Sequence, residues 1–272
     1  MNFFSRYTTD LIRSSRQQRI AASLVLATGF FSSCLQAESW LFDAGFVVVA
    51  RQQQWLEIEA DQQLLPLFVA HYGNWQFGTT ESNLVSYRWQ FPQQLSLQLG
   101  AGIRDLGYGA KTQARRKYSQ ASVFNGYQLP DPEAVVNVAL KWHWFSLQLG
   151  HQLDDEELAL QAKAGVQVPL WQHERGANLA LLLEARYLNE ELAQRLYGVD
   201  FDNQDLTVGR PYFSAPGAVN SAIALQFTYP LTRQWLLLAT LSAEQLDKKL
   251  QASPLVGRDR ITELLLVANY RF

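Results

Sequence analysis

Twelve stretches of this 272-residue chain alternate apolar and polar side chains at period two. They run over 43–51, 62–72, 74–80, 83–91, 94–104, 133–142, 144–152, 157–168, 177–188, 218–229, 234–246 and 261–272. Side chains in a strand point alternately to the two faces of its sheet, so each stretch is a strand with one oily face. In 94–104, Leu95, Leu97, Leu99, Ala101 and Ile103 share a face, opposed by Ser96, Gln98, Gly100, Gly102 and Arg104. A slip of one residue would turn each such set over, which pins the register. The last stretch sets Leu264, Leu266, Ala268, Tyr270 and Phe272 against Glu263, Leu265, Val267, Asn269 and Arg271. An oily strand face is core in a soluble sandwich and meets lipid in a membrane barrel. A single stretch does not choose between them.

The remainder of the chain narrows the choice. Residues 1–37 have the form of a cleaved signal peptide. Arg6, Arg13, Arg16 and Arg19 precede a short apolar run, Ile20 to Phe31, and Ala37 offers a cleavage site before Glu38. A lipoprotein box at Cys34 is the competing reading, with Phe31 a poor fit at its first position. Residues 38–272 then form a single domain without cysteine, so no disulfide holds an exported chain. The leader takes four of the 23 basic residues and one of the 25 acidic ones, which leaves an acidic chain with no footprint for nucleic acid. Beyond the leader, no apolar run approaches the roughly 18 residues of a membrane helix. Strands cross a bilayer only as a closed barrel, because closure alone pairs every backbone N–H and C=O.

The connections alternate as a barrel requires. Gly73, Pro92-Gln93, His143, Pro169 to Gly176 and Pro230 to Arg233 are short turns. The long connections, 105–132 and 189–217, fall between the other strand ends. With an even strand count, both chain ends lie on the short-turn side, the periplasmic side of an outer-membrane barrel. Trp40, Trp75, Trp89, Trp142, Trp144, Trp171 and Trp235 all belong to that side, and only Trp55 lies elsewhere. Indole prefers the membrane–water interface, where an apolar ring keeps its N–H wet. With Tyr72, Phe91, Tyr229, Tyr270 and Phe272 these residues form an aromatic girdle. The expected fold is all-β, a closed antiparallel transmembrane barrel of twelve strands, or of ten if the short third and fourth stretches fail. Pro66 predicts a bulge or an irregular hairpin early in the second strand.

Several segments, in order, resemble the MipA/OmpV family of MltA-interacting outer-membrane proteins. They are Leu196-Tyr197-Gly198-Val199, the hairpin from Thr228 to Leu237, Ser253-Pro254-Leu255-Val256 and the terminal Tyr270-Arg271-Phe272. The stretch from Leu64 to Phe77 looks like the family's second strand and turn. The likeness is close over the last 80 residues and loose before them. The loop 52–63 lacks the family's Tyr-Gly-Ser character, Ala252 stands where an acid often precedes Ser-Pro, and 105–132 matches poorly. The resemblance implies an outer-membrane protein handed to the barrel-assembly machinery through Phe272. It also implies a scaffold joining a lytic transglycosylase to a murein synthase; other members are described as adhesins or porin-like proteins.

The face opposite lipid carries Arg88, Arg104, Lys141, Lys163, Glu184, Arg186, Glu244, Glu263 and Arg271. Such a set is either a charged filter for a small solute in a narrow channel or a self-satisfied network of ion pairs that plugs the barrel. Arg115-Arg116-Lys117 in the long loop can grip phosphates or stand solvated. Asp154 to Glu157 match no calcium loop and read as an acidic turn. Catalysis needs a nucleophile within reach of a base. His151 and Ser221 share an outward rim but lie three strands apart, roughly 14 Å at 4.8 Å per strand. The expectation is a protein without enzymatic activity or cofactor.

Overall fold

The computed structural model describes residues 39–58, 60–80, 83–104, 122–128, 130–153 and 158–272. The expected signal peptide with Cys34, the basic run 115–117 and the acidic run 154–157 lie outside the described residues. Twelve strands form one closed barrel in which each strand pairs antiparallel with its sequence neighbours and β1 pairs with β12. They are β1 (Trp40–Arg51), β2 (Asp61–Tyr72), β3 (Trp75–Thr80), β4 (Asn83–Phe91), β5 (Leu95–Arg104), β6 (Glu133–Trp142), β7 (Phe145–Gln152), β8 (Leu160–Gln172), β9 (Asn178–Leu188), β10 (Ala218–Pro230), β11 (Trp235–Gln245) and β12 (Arg260–Arg271). Among the described residues no helix is long and apolar enough to cross a membrane. The alternative of ten strands is excluded: β3 and β4 are present and paired.

The register follows the alternation. Phe46, Leu64, Phe68, Leu99, Ile103, Ile223, Leu241, Leu264 and Leu266 stand exposed on the outer surface. An apolar belt of this extent is untenable in water and is the solvated surface of a barrel in lipid. Tight turns close one end of the barrel, the turn end. Gly73, Gln93, Gln94, His143 and Gly176 all adopt positive φ there, as short hairpin loops require to match strand twist.

Two expectations about proline fail. Pro66 creates no bulge: β1 and β2 stay in register from Trp40↔Tyr72 to Arg51↔Asp61, with Pro66 opposite Phe46. Among the described residues β3 pairs with β2 only at Ala70, His71 and Tyr72, so the missing N–H of Pro66 interrupts no β2–β3 ladder. Pro169 does not end a strand. β8 runs on to Gln172 through a register shift between Pro169 and Trp171, a bulge that absorbs the missing donor. The turn there shrinks to 173–177.

The β1–β12 seam is packed backbone to backbone. A Cβ on Gly45 would lie 1.9 Å from the Ala268 carbonyl oxygen. Gly45→Ala is therefore expected to cost about 1–3 kcal/mol of overpacking and to lower the temperature at which the folded band disappears in heat-modifiability gels. An unchanged transition would show that the seam can relax.

The well-packed apolar core lies at the other end of the barrel, among the loops. Trp55 and Ile58 come from the β1–β2 loop, Val123 and Phe124 from β5–β6, Leu192, Ala193, Tyr197, Val199 and Ala215 from β9–β10, and Leu250 and Leu255 from β11–β12. Trp55, the one tryptophan away from the turn end, is buried here with its ring 5.2 Å from that of Tyr197. The β9–β10 connection contains helix α1 (Glu190–Tyr197), which the alternation did not reveal. Asn189 caps it, its Oδ1 accepting from Leu192 N–H at 3.1 Å. Glu190 and Glu191 favour the positive end of the helix dipole and Arg195 the negative end. A short helix α2 (Lys248–Gln251) is capped by Asp247 in the β11–β12 connection. Burial of the Tyr197 phenol, and then the nearby Glu244 carboxylate, push its pKa above the ordinary tyrosine range. The folded cap thus holds this proton more tightly than the unfolded chain. Cap stability is expected to fall as pH rises above about 10, checked by hydrogen exchange of the α1 amides.

Candidate functional site

The site is the lumen with its loop cap. By register the charged residues share the strand faces opposite the exposed apolar rows, and they meet partners that the alternation alone did not single out. At the loop end, Arg104 Nη2 donates to Glu133 Oε2 at 2.5 Å, and Arg195 of α1 donates to Glu133 Oε1 at 3.3 Å. Arg195 also donates to Gln152 Oε1 at 2.6 Å and to Glu191 at 2.9 Å. Glu133 is buried, so one carboxylate on β6 holds two guanidinium groups, one from the wall and one from the helix.

Tyr197 lies beyond Arg195 on α1, and its phenol feels Glu244, Arg186 and Arg51. These belong to β11, β9 and β1, whereas Glu133 and Gln152 belong to β6 and β7. In a ring of twelve strands, β6 and β7 face β12 and β1, so α1 crosses the lumen from wall to wall. Ser253 Oγ, from the β11–β12 loop, donates to the Tyr197 carbonyl at 2.6 Å. Arg210 is buried and donates to the carbonyls of Val123, Asn125 and Asn203, which ties the β9–β10 loop to the β5–β6 loop. These contacts make the cap a packed unit rather than a set of separate loops.

Beneath the cap, Arg186 Nη1 lies 3.1 Å from Glu244 Oε2, and Arg186 Nη2 donates to Glu184 at 3.2 Å. Asn220 Nδ2 donates to Glu244 Oε1 at 2.9 Å. Arg51 Nε stands 3.7 Å from Glu263, too far for a hydrogen bond. A cavity of about 220 Å³ lies here, lined by Arg51, Glu184, Arg186, Ser242, Glu244 and Glu263 among others.

At the turn end, Arg271 clamps Asp43 with both Nε (2.8 Å) and Nη2 (3.0 Å), and His71 Nε2 lies 3.1 Å from the same carboxylate. Asp43 and Arg271 are direct partners across the β1–β12 seam, so a bidentate ion pair locks the closure. Arg88 donates to Gln98 Oε1 at 2.8 Å, and Gln98 donates to Ser86 at 2.9 Å. Lys141 is exposed and Lys163 half-buried. Across the middle, Asn137 donates to Asn83 at 2.9 Å. A Cβ on Gly100 would strike Asn83 and one on Gly150 would strike Asn137, so glycine on β5 and β7 lets these polar side chains lie flat against the wall.

The predicted aromatic residues cluster at the turn end. Trp75 packs edge-on to Tyr87 at 4.9 Å, Trp235 to Tyr270 at 5.2 Å, and Tyr270 to Phe272 at 4.8 Å. Trp142 stacks on Phe145. Trp89, Trp144 and Trp171 are exposed there as well. His151 on β7 and Ser221 on β10 remain separated by β8 and β9. Among the described residues no cluster of His, Cys, Asp and Glu has the form of a metal site.

Asp43 and Glu133 were legible in principle, since each falls on the more polar face of its strand; His71 was not, because it shares its face with Val69, Leu67 and Leu65. Arg195 was not, because no period marks a loop residue that reaches into the lumen.

No curated protein sequence matches the chain. Among solved structures, a FadL homologue from Pseudomonas aeruginosa aligns over 87% of this chain and 90% of its own, at 9% identity and a TM-score of 0.35. An anion-selective porin from Comamonas acidovorans aligns over 86% and 100%, at 9% identity and a TM-score of 0.32. Neisserial surface protein A aligns over 87% and 98%, at 8% identity and a TM-score of 0.21. The barrel itself rests on the strand pairing. The family model described as MltA-interacting protein MipA matches residues 44–272. The chain belongs to the MipA family of MltA-interacting proteins and is built as a transmembrane β-barrel of the outer-membrane type.

Proposed function

We propose that this protein is a non-enzymatic scaffold of the Gram-negative outer membrane, exported behind a signal peptide over 1–37 and followed by one barrel domain over 38–272. In this reading the loop end faces outward and the turn end faces the periplasm, with the indole ring marking the inner boundary of the bilayer. Phe272 serves recognition by the assembly machinery. The turn end is the docking face for a lytic transglycosylase of the MltA kind and, through it, a murein synthase. The cap supports this reading: α1 and the loop core occupy the loop-end mouth, which leaves rim and turns as the surfaces available for work. The family's description as MltA-interacting supplies the partner class. Affinity capture of the full chain from detergent extract is expected to co-purify a murein hydrolase or synthase. Recovery of assembly factors alone would overturn it.

A second reading, a narrow diffusion channel, is favoured by the charged cavity between Arg51, Glu184, Arg186 and Glu263. Planar-bilayer recording separates the two: the scaffold reading expects a silent barrel, the channel reading discrete conductance steps.

A further inference from the structure

The cavity beneath the cap follows from which residues stand side by side on the wall. Two rows of direct cross-strand partners run through it. One row is Glu184, Ala222, Glu244 and Ile261, on β9 to β12. The next, two residues nearer the turns, is Leu182, Ala224, Ser242, Glu263 and Arg51, on β9 to β12 and then β1. Both rows lie on the face opposite the exposed Leu183, Ile223, Leu241 and Leu264. Ala222, Ala224 and Ser242 are short and stand in the middle, with long charged side chains on both flanks. Short residues between long ones leave a recess, here of about 220 Å³. That is the bulk of about seven waters at roughly 30 Å³ each, or of one compact organic molecule.

The polar groups of the recess are only partly satisfied. The Nε atoms of Arg51 and Arg186 are both buried without an acceptor among the described residues. Glu263 meets Arg51 Nε at 3.7 Å, beyond hydrogen-bond range. Glu184 has one donor, Arg186 Nη2. Glu244 is better supplied, by Arg186 and by Asn220. Buried donors and carboxylates short of partners are costly, and the pattern calls for something that brings both acceptors and donors. The charges set its class. Arg51 and Arg186 face Glu184, Glu244 and Glu263 across the recess. An anion would meet three carboxylates. A simple cation would leave both Nε groups without an acceptor, and among the described residues no acidic group has the form of a metal site. A neutral polyol offers hydrogen bonds but no charge to set against Glu263.

We propose that the recess binds a small amino-acid zwitterion, its carboxylate facing the Nε groups of Arg51 and Arg186 and its ammonium facing Glu263 and Glu184. The surplus of one carboxylate over the two guanidinium groups favours a basic or neutral side chain over an acidic one. This occupant sits in the cavity that favours the channel reading, yet its binding rests on the wall alone and is read at equilibrium. A silent barrel can hold the zwitterion, and a conducting one can fail to.

Equilibrium dialysis of the full chain, folded in detergent, tests this with radiolabelled lysine, alanine, glutamate and glucose. Each is used at up to about 10 mM. It is added to the folded protein and, separately, kept present throughout refolding, so that the cap does not shut it out. One saturable site per barrel is expected for lysine and alanine, lysine the tighter, with glutamate weaker than lysine by about tenfold or more. A hydrogen bond to a charged group is worth about one to two decades of affinity. Glu263→Gln and Arg51→Gln are therefore each expected to weaken lysine by about tenfold or more, while the barrel keeps its folded mobility in unheated gels. Ala224→Leu fills the floor of the recess and should abolish binding. Lysine binding unchanged in Ala224→Leu, or in both glutamine variants, would place the ligand elsewhere and overturn the site. Glucose or glutamate bound as tightly as lysine would overturn the zwitterion class. No binding by either route means a hydrated recess only and overturns the proposal, whatever planar-bilayer recording shows.

Discussion

Planar bilayers containing the double variant Leu192→Asp, Leu250→Asp are expected to show stepwise conductance on the order of tenfold or more above the wild-type level, while the barrel keeps its folded mobility in unheated gels. Both leucines are fully buried in the cap, one on α1 and one on α2. An ionised carboxylate at either position must be hydrated, and the apolar burial lost with each leucine is worth about 2–5 kcal/mol. The wall does not share this fate. Its strands are held by inter-strand backbone bonds around a closed ring, and none of those bonds passes through the cap. If the variant stays as silent as the wild type, closure resides in the ion pairs of the lumen and α1 is not what shuts the mouth.

Glu133→Ala is expected to destabilise the loop end by about 3–5 kcal/mol, more than any other single truncation in the lumen. The substitution leaves Arg104 and Arg195 facing each other without the buried carboxylate that both now touch. Arg104 already has Nη1 buried without a partner, and its other acceptor is the Ala159 carbonyl, at a long 3.4 Å. The measurement is amide exchange in α1 and β6 together with thermal unfolding in detergent. Adding Arg104→Met should restore part of the loss, because it removes the guanidinium left stranded, while Arg195 keeps Glu191 and Gln152; a double variant no better than the single one would contradict the electrostatic account.

How much of this was legible in the sequence depends on the range of the interaction. Period-two alternation is local, so ten or so residues such as 95–104 reveal their faces without the rest of the chain. The twelve strands, the sequence of short turns and the gathering of tryptophans all follow from such local signals. The third strand reads as the weakest stretch, and its shortness is real. Pro169 misled because a strand can pass a proline by bulging, which depends on its neighbour rather than on its own residues. The cap was hidden for a different reason. Trp55, Phe124, Leu192 and Leu255 come from four connections scattered along the chain, and nothing periodic links them. Helix α1 did leave a trace, in Asn189 followed by Glu190 and Glu191, the form of a capped helix start. Ion-pair partners fell between these cases: the face was readable, the pairing was not, since only in three dimensions does Glu133 meet both Arg104 and Arg195.

The clasp between Asp43 and Arg271 joins residues 228 positions apart. Until the final strand has arrived, the initial one has an unsatisfied edge and a buried-acid site with no cation. Such a topology postpones its reward until nearly the whole polypeptide is in place, so insertion has to be slow and late relative to secretion. The nascent ribbon must meanwhile travel with its edges shielded, and any lesion at this joint should show itself as accumulation of an unassembled, protease-sensitive precursor before it shows as a weaker finished product.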